Sequence, residues 1–158
     1  MIHHIQCDLL KATADVIAHQ VNCMGVMGSG IAAQIKEQFP EVYVRYRNVC
    51  RCSTPDVLLG MAQYVAVPVS SAKARPLGVI NLFAQRSYGR DERHTNYDAF
   101  RESLRVMKNI MYHRGYQSVA LPYRIGCVRG GGDWNIVLRI IEEELSDYEV
   151  FLCEKDMG

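Results

Sequence analysis

The chain has no apolar run approaching the roughly 18 residues that a membrane-spanning helix requires. Its first residues, Met1-Ile2-His3-His4-Ile5, lack the basic stretch followed by apolar residues that marks a secretory leader. Neither sign of charge is in excess: 18 Lys and Arg stand against 17 Asp and Glu, a formal net charge of +1. That balance argues against an extended nucleic-acid footprint, which needs clustered Lys and Arg on one face. A local basic cluster remains in Lys73, Arg75, Arg86, Arg90 and Arg93. Zinc-type spacing is missing too. Of the six cysteines, Cys50 and Cys52 are too close for a usual knuckle, and no second ligand pair follows them. No internal repeat, low-complexity tract or linker divides the chain. These absences lead to the expectation of one cytoplasmic, monomeric domain over 1–158, with free thiols, no metal, no cofactor and no membrane partner.

What is present is a core-forming composition, 49% hydrophobic over 158 residues. Val16–Asn22 is a run rich in β-branched residues and reads as a strand; residues 5–10 offer an earlier one. Ile31, Ile35 and Phe39 recur at helical spacing, and Pro40 ends that helix. A second helix is expected over 41–49, then a loop over 51–55. Residues 60–67 and 77–83 read as paired strands, and 85–96 as a polar, arginine-rich loop. Phe100, Leu104, Met107 and Met111 predict a helix over Tyr97–Arg114, with Gly115 as its C-terminal cap. Ser118–Pro122 reads as a strand, followed by a last helix to about residue 145 and a closing strand at 149–153. Strands alternating with helices imply a three-layer α/β/α sandwich around a mixed, mostly parallel sheet.

Two segments share one plan of strand, glycine-rich loop and helix: 25–31 and 125–133. In such a sheet both loops emerge where strands end and ligands bind. Backbone N–H groups at a following helix start favour an anion, phosphate above all. The first loop has neither the dinucleotide fingerprint with its downstream acid nor a P-loop ending in Lys-Ser/Thr, so P-loop hydrolysis is not expected. Two loops together suggest a split pocket holding a pyrophosphate.

The stretch His19-Gln20-Val21-Asn22-Cys23-Met24-Gly25-Val26-Met27-Gly28-Ser29-Gly30-Ile31-Ala32, with Leu121-Pro122-Tyr123-Arg124-Ile125-Gly126-Cys127, resembles a macro domain. The similarity runs from Ile5 to Cys153. It is strongest toward the branch holding ADP-ribose-1''-phosphate phosphatase and terminal ADP-ribose protein glycohydrolase. The resemblance implies that ADP-ribose, or a phosphorylated or acylated derivative, is the ligand, with an ADP-ribosylated macromolecule as a further candidate partner. It places Asp8 and Leu9 at the adenine, though Asp8 reads equally as a turn cap. It sets Asn22 beside the distal ribose, where an Asx turn opening the loop is the plain alternative. Gly28, Ser29, Gly30 and Ile31 would form the first phosphate loop. Ile125, Gly126, Cys127, Val128, Arg129 and Gly130 would form the second, with Gln85 at the strand end between them.

The chemistry is less uniform. The terminal glycohydrolases carry a lysine where this chain has Gln85, and glutamine cannot form a lysine-type adduct with the sugar. They carry an aspartate where this chain has Gly130; Asp133 follows three residues later. His19 matches a histidine of the phosphatase-like relatives and could serve as acid, base or phosphate ligand, or be a buried strand histidine bonded to a carbonyl. With His19, Asn22 and Asp133, Asp91 completes the catalytic candidates; His94 is an alternative acid or base, and Arg86 or Arg90 could neutralise phosphate. Cys127 and Trp134 read as packing residues. The expected function is hydrolysis of ADP-ribose 1''-phosphate. The alternatives are a module that reads ADP-ribose without turnover, or a hydrolase releasing it from a macromolecule.

Overall fold

The computed structural model describes residues 1–68, 74–89 and 92–156. Its strands are β1 (Ile2–Gln6), β2 (Val16–Asn22), β3 (Ala62–Ala66), β4 (Gly78–Gln85), β5 (Ser118–Pro122) and β6 (Glu149–Glu154). They form one sheet in the order β1-β6-β5-β2-β4-β3, parallel throughout except for β3, which runs antiparallel to β4. The helices are α1 (Gly30–Gln38), α2 (Pro40–Cys52), α3 (Pro55–Leu58), α4 (Tyr97–Arg114) and α5 (Trp134–Glu144).

Side-chain alternation along the central strands divides the core in two. Ile17, Val21, Val79 and Phe83 pack with Ile35 of α1 and with Val42 and Tyr46 of α2. Val16, Ala18, Ile80 and Leu82 face the other way, onto Phe100, Leu104, Met107 and Met111 of α4 and onto Val137 and Ile141 of α5. The result is the expected three-layer sandwich with a mixed, mostly parallel sheet. Among the described residues, no helix is long and apolar enough to cross a membrane.

Local chemistry sets the element ends. Asn96 accepts from the Ala99 amide at 3.0 Å to start α4. Gly115 ends it in the left-handed conformation, φ 71°. Three boundaries differ from the sequence reading. The first strand spans Ile2–Gln6 rather than 5–10, because Asp8 accepts from the Leu10 amide at 3.1 Å and turns Leu9–Lys11 into a 3-10 turn. The second helix runs on to Cys52, since nothing before Ser53 breaks it. Residues 51–55 are only partly loop: Thr54 caps the short helix α3, which has Pro55 in its first turn.

Across the second core, α4 and α5 are joined by charge. Glu144 is buried and accepts from Arg101 at 2.7 Å, Lys108 at 3.0 Å and Arg105 at 3.2 Å. Burial alone would raise its pKa, but these three donors outweigh it and hold the carboxyl at about 2. A carboxyl whose folded pKa lies below its unfolded value stabilises the fold fully above the unfolded value of 4.5, and that contribution is lost as the pH falls from there towards 2. Glu144→Gln should therefore lower unfolding free energy at pH 7 by about 2 kcal/mol, the partial exposure of the cations having been discounted. It should also flatten the acid limb of a pH–stability curve measured by denaturant unfolding.

Candidate functional site

A cavity of about 630 Å³ lies over the C-terminal ends of β2, β4 and β5. The loop from β2 to α1 forms one wall and the loop from β5 to α5 the other. The first wall is built by Asn22. Its Oδ1 accepts from the Met24 amide at 2.9 Å and from the Tyr46 hydroxyl at 2.7 Å, while its Nδ2 donates to the Val26 carbonyl at 2.8 Å. The Tyr46 hydroxyl lies equally close to the Asn22 carbonyl, 2.7 Å, so its one hydrogen is shared between the two Asn22 oxygens, and burial pushes that phenol well above its usual pKa. The Asx turn is thus present, and Asn22 lines the cavity while shaping the loop.

Where this loop enters α1, the Ser29 hydroxyl makes no capping bond. The first-turn N–H groups of α1 therefore have no side-chain acceptor at Ser29, and they carry the positive end of the helix dipole. Arg129 reaches across from the second loop and lies against Gly30, so that a Cβ there would sit 3.0 Å from its Nε. Arg124 also lines the cavity and holds a left-handed backbone, φ 61°, that non-glycine residues seldom adopt. Two arginines and no carboxylate line this space among the described residues.

The second wall is pinned by a buried hydroxyl that sequence reasoning missed. Thr95 donates to the Gly126 carbonyl at 2.6 Å and accepts from Gln20 Nε2 at 2.8 Å. Gln20 Nε2 also donates to Gln85 Oε1 at 2.8 Å, and Gln85 Nε2 donates to the Ser87 carbonyl at 2.7 Å. The Gly132 amide closes the loop on the Gly126 carbonyl at 2.9 Å, and the Gly130 carbonyl accepts from the amides of His94 and Thr95. Gln20 had a faint signal, being polar at a strand end beside His19; Thr95 had none.

His19 lies at the cavity floor, 1% exposed. Its Nε2 is 2.7 Å from Asn81 Oδ1, a side-chain amide carbonyl, so His19 is a buried strand histidine bonded to a carbonyl that also lines the cavity. Burial pulls the imidazole pKa down to about 4, against a smaller upward effect of the Asn81 bond.

A family model for the Macro domain matches residues 18–141. The chain belongs to the Macro domain family. The DNA ADP-ribosyl glycohydrolase of Mycobacterium tuberculosis is 30% identical over 138 residues, which cover 87% of this chain and 36% of that protein. An ADP-ribose 1''-phosphate phosphatase of Meyerozyma guilliermondii is 31% identical over 98 residues, 56% of each chain. The solved macrodomain of Mycobacterium tuberculosis DarG superposes with a TM-score of 0.81 at 26% identity, covering 99% of both chains. This macro domain thus spans about a third of the length of the DNA ADP-ribosyl glycohydrolase it matches.

Most of the ligand contacts expected of a macro domain converge on the cavity: Asn22, Gly28, Ser29, Gly30, Ile31 and Gln85 from one side, and Ile125, Gly126, Val128, Arg129 and Gly130 from the other. Several candidates lie elsewhere. Asp8 caps its turn and stands 3.8 Å from Lys155, and neither it nor Leu9 lines the cavity. Cys127 faces the core side, packed against the α4/α5 cluster, with burial raising its thiol pKa to about 11. Asp133 is not a cavity acid: its carboxylate caps α5 through the Asn135 amide at 2.9 Å. Arg86 pairs with Asp56 of α3 instead of facing the cavity. His94 contributes its backbone amide to the second loop. Asp91 and Arg90 lie outside the described residues. Trp134 packs edge-on against Tyr123 at 5.2 Å, as an anchor of α5. Among the described residues no group of three or more His, Cys, Asp or Glu could hold a metal ion.

Gly130 cannot take the aspartate of the glycohydrolases. A Cβ there would overlap the Thr95 hydroxyl and lie 2.7 Å from the Gly126 carbonyl. At Gly28 a Cβ would meet only Val26, at 3.6 Å. Gly130→Ala should therefore lower thermal stability by about 1–3 kcal/mol, and Gly28→Ala by less than about 0.5 kcal/mol. Equal losses in thermal unfolding would contradict this packing.

Proposed function

We propose that this macro domain binds ADP-ribose in the cavity and hydrolyses a phosphorylated derivative, ADP-ribose 1''-phosphate. The observation that carries the reading is the charge of the lining: Arg124, Arg129 and the first turn of α1 with no opposing carboxylate among the described residues. Such a lining suits a ligand rich in phosphate and, among the described residues, offers no carboxylic acid to protonate a glycosidic leaving group. In the reaction, water attacks the terminal phosphorus and the bond from phosphorus to the anomeric oxygen breaks. One water proton goes to a base, and the released sugar oxygen gains a proton from solvent. His19 is the titratable side chain at the cavity floor that can take that proton.

Hydrolysis of ADP-ribose from DNA is the second reading. It draws support from the 30% identity to a DNA ADP-ribosyl glycohydrolase across 87% of this chain. Gln85 and Gly130 speak against it, the first being held in a hydrogen-bonded network and the second having no room for a side chain.

Phosphate release from ADP-ribose 1''-phosphate, ADP-ribose release from an ADP-ribosylated oligonucleotide, and calorimetry with ADP-ribose separate the readings. The expected result is phosphate release that disappears in a His19→Ala, Asn22→Ala double variant. Arg124→Ala and Arg129→Ala should each weaken ADP-ribose binding by about tenfold. Tight binding with no turnover of any substrate would leave a reader module, and release from DNA alone would select the second reading.

A further inference from the structure

One polar row crosses three strands of the sheet. On the face covered by α1 and α2, the register sets Gln63 of β3 beside Asn81 of β4, and Asn81 beside His19 of β2. Asn81 is fully buried and His19 nearly so. Buried polar groups destabilise the fold unless bonded, and here the bonds run in one direction. Gln63 Nε2 donates to the Arg45 carbonyl at 3.2 Å, and a carbonyl has no hydrogen to give. Gln63 Oε1 therefore faces Asn81 and accepts from its Nδ2 at 3.0 Å. Asn81 Oδ1 is left to face His19 Nε2 at 2.7 Å, so that nitrogen carries the proton. A neutral imidazole has one N–H, which leaves Nδ1 a bare lone pair. Nδ1 is buried and has no protein partner among the described residues.

We infer that Gln63 and Asn81 are positioning residues that hold His19 in its Nε2–H tautomer, so that Nδ1 is the proton acceptor at the cavity floor. This rests on the reading of the cavity as a hydrolytic site. It makes His19 the acceptor of the water proton rather than a ligand of the phosphate. A bare lone pair repels an anionic oxygen but accepts from water or a sugar hydroxyl. When Nδ1 takes the proton, Asn81 Oδ1 already faces the opposite side of the ring and stabilises the imidazolium.

The hydrogen-bonded row beside the ring is neutral, Asn81 from β4 and Gln63 from β3, and the α1 and α2 residues packed on this sheet face include Ile35 and Tyr46, whose hydroxyl is held by Asn22. Among the described residues, the cations lining the cavity are Arg124 and Arg129 on the second loop. Burial keeps the imidazole neutral, with a pKa of about 4, and an anionic ligand nearby raises its proton affinity towards the working range.

Imidazole nitrogen NMR on the full chain reads the tautomer without reference to activity. The wild-type His19 should carry its proton on Nε2 at neutral pH. Gln63→Leu frees the Asn81 amide to turn over. It should populate the Nδ1–H form and reduce kcat for phosphate release by about tenfold or more, with the Kd for ADP-ribose within about twofold. Asn81→Asp should raise the imidazole pKa and move the acid limb of the pH–rate profile up with it. A wild-type ring protonated on Nδ1 would overturn the inference, as would a folded Gln63→Leu protein with tautomer and kcat unchanged. Absence of phosphate release by the wild type would instead sink the phosphatase reading, and the tautomer of Gln63→Leu would still decide this one.

Discussion

The hydroxyl of Thr95 is the point on which the cavity turns. It donates to the Gly126 carbonyl and accepts from Gln20, and so joins the second loop to β2 across the end of β4. Gly130 and Gly132 pack so close to the same side chain that the loop has one way to lie. Buried amides and hydroxyls of this kind act as a set, because each lost partner exposes the next to desolvation without compensation. The first loop is fixed by a comparable device, with the Tyr46 hydroxyl held against both oxygens of Asn22. The facing walls of one binding space are thus stiffened separately, each by an aromatic or aliphatic hydroxyl in an apolar layer.

That division explains what could be read from residues in order along the chain. The α4 helix emerges where its apolar spacing places it, since Asn96, Gly115 and four fully buried side chains all agree. The glycine loops were legible because glycine is where backbone must approach a ligand or another loop. Residues 5–10 misled because an apolar run gives no weight to Asp8, whose carboxylate bends the chain after Gln6. Helix α3 has four residues, too few for any periodicity. Asp133 looked like chemistry through its neighbours in a family motif. An aspartate one residue before a helical pattern is more simply a cap. Thr95 and Gln20 were invisible for another reason: 75 positions separate them, and neither means anything until the sheet brings them together.

The family relationship alone does not choose between chemistries: the chain is 30% identical to a DNA ADP-ribosyl glycohydrolase over 138 residues and 31% identical to an ADP-ribose 1''-phosphate phosphatase over 98. Among the described residues the cavity presents guanidinium groups and a neutral imidazole, and neither the amine nor the carboxylate that sugar transfer would use. The bulge between Val21 and Asn22 contributes to this. It inserts one extra residue of β4 before Gln85 pairs with Asn22. The alternation of faces shifts there, and the Gln85 side chain can meet Gln20 rather than continue the α1/α2 side of β4.

Arg124 is the remaining feature whose cost is plain. Holding a long, β-carbon-bearing residue in left-handed geometry costs about 1 kcal/mol or more that glycine would not incur. The side chain lies largely in solvent and returns little of that through packing. What that strain holds in place is a guanidinium at the mouth of the cavity, a charge that glycine could not supply.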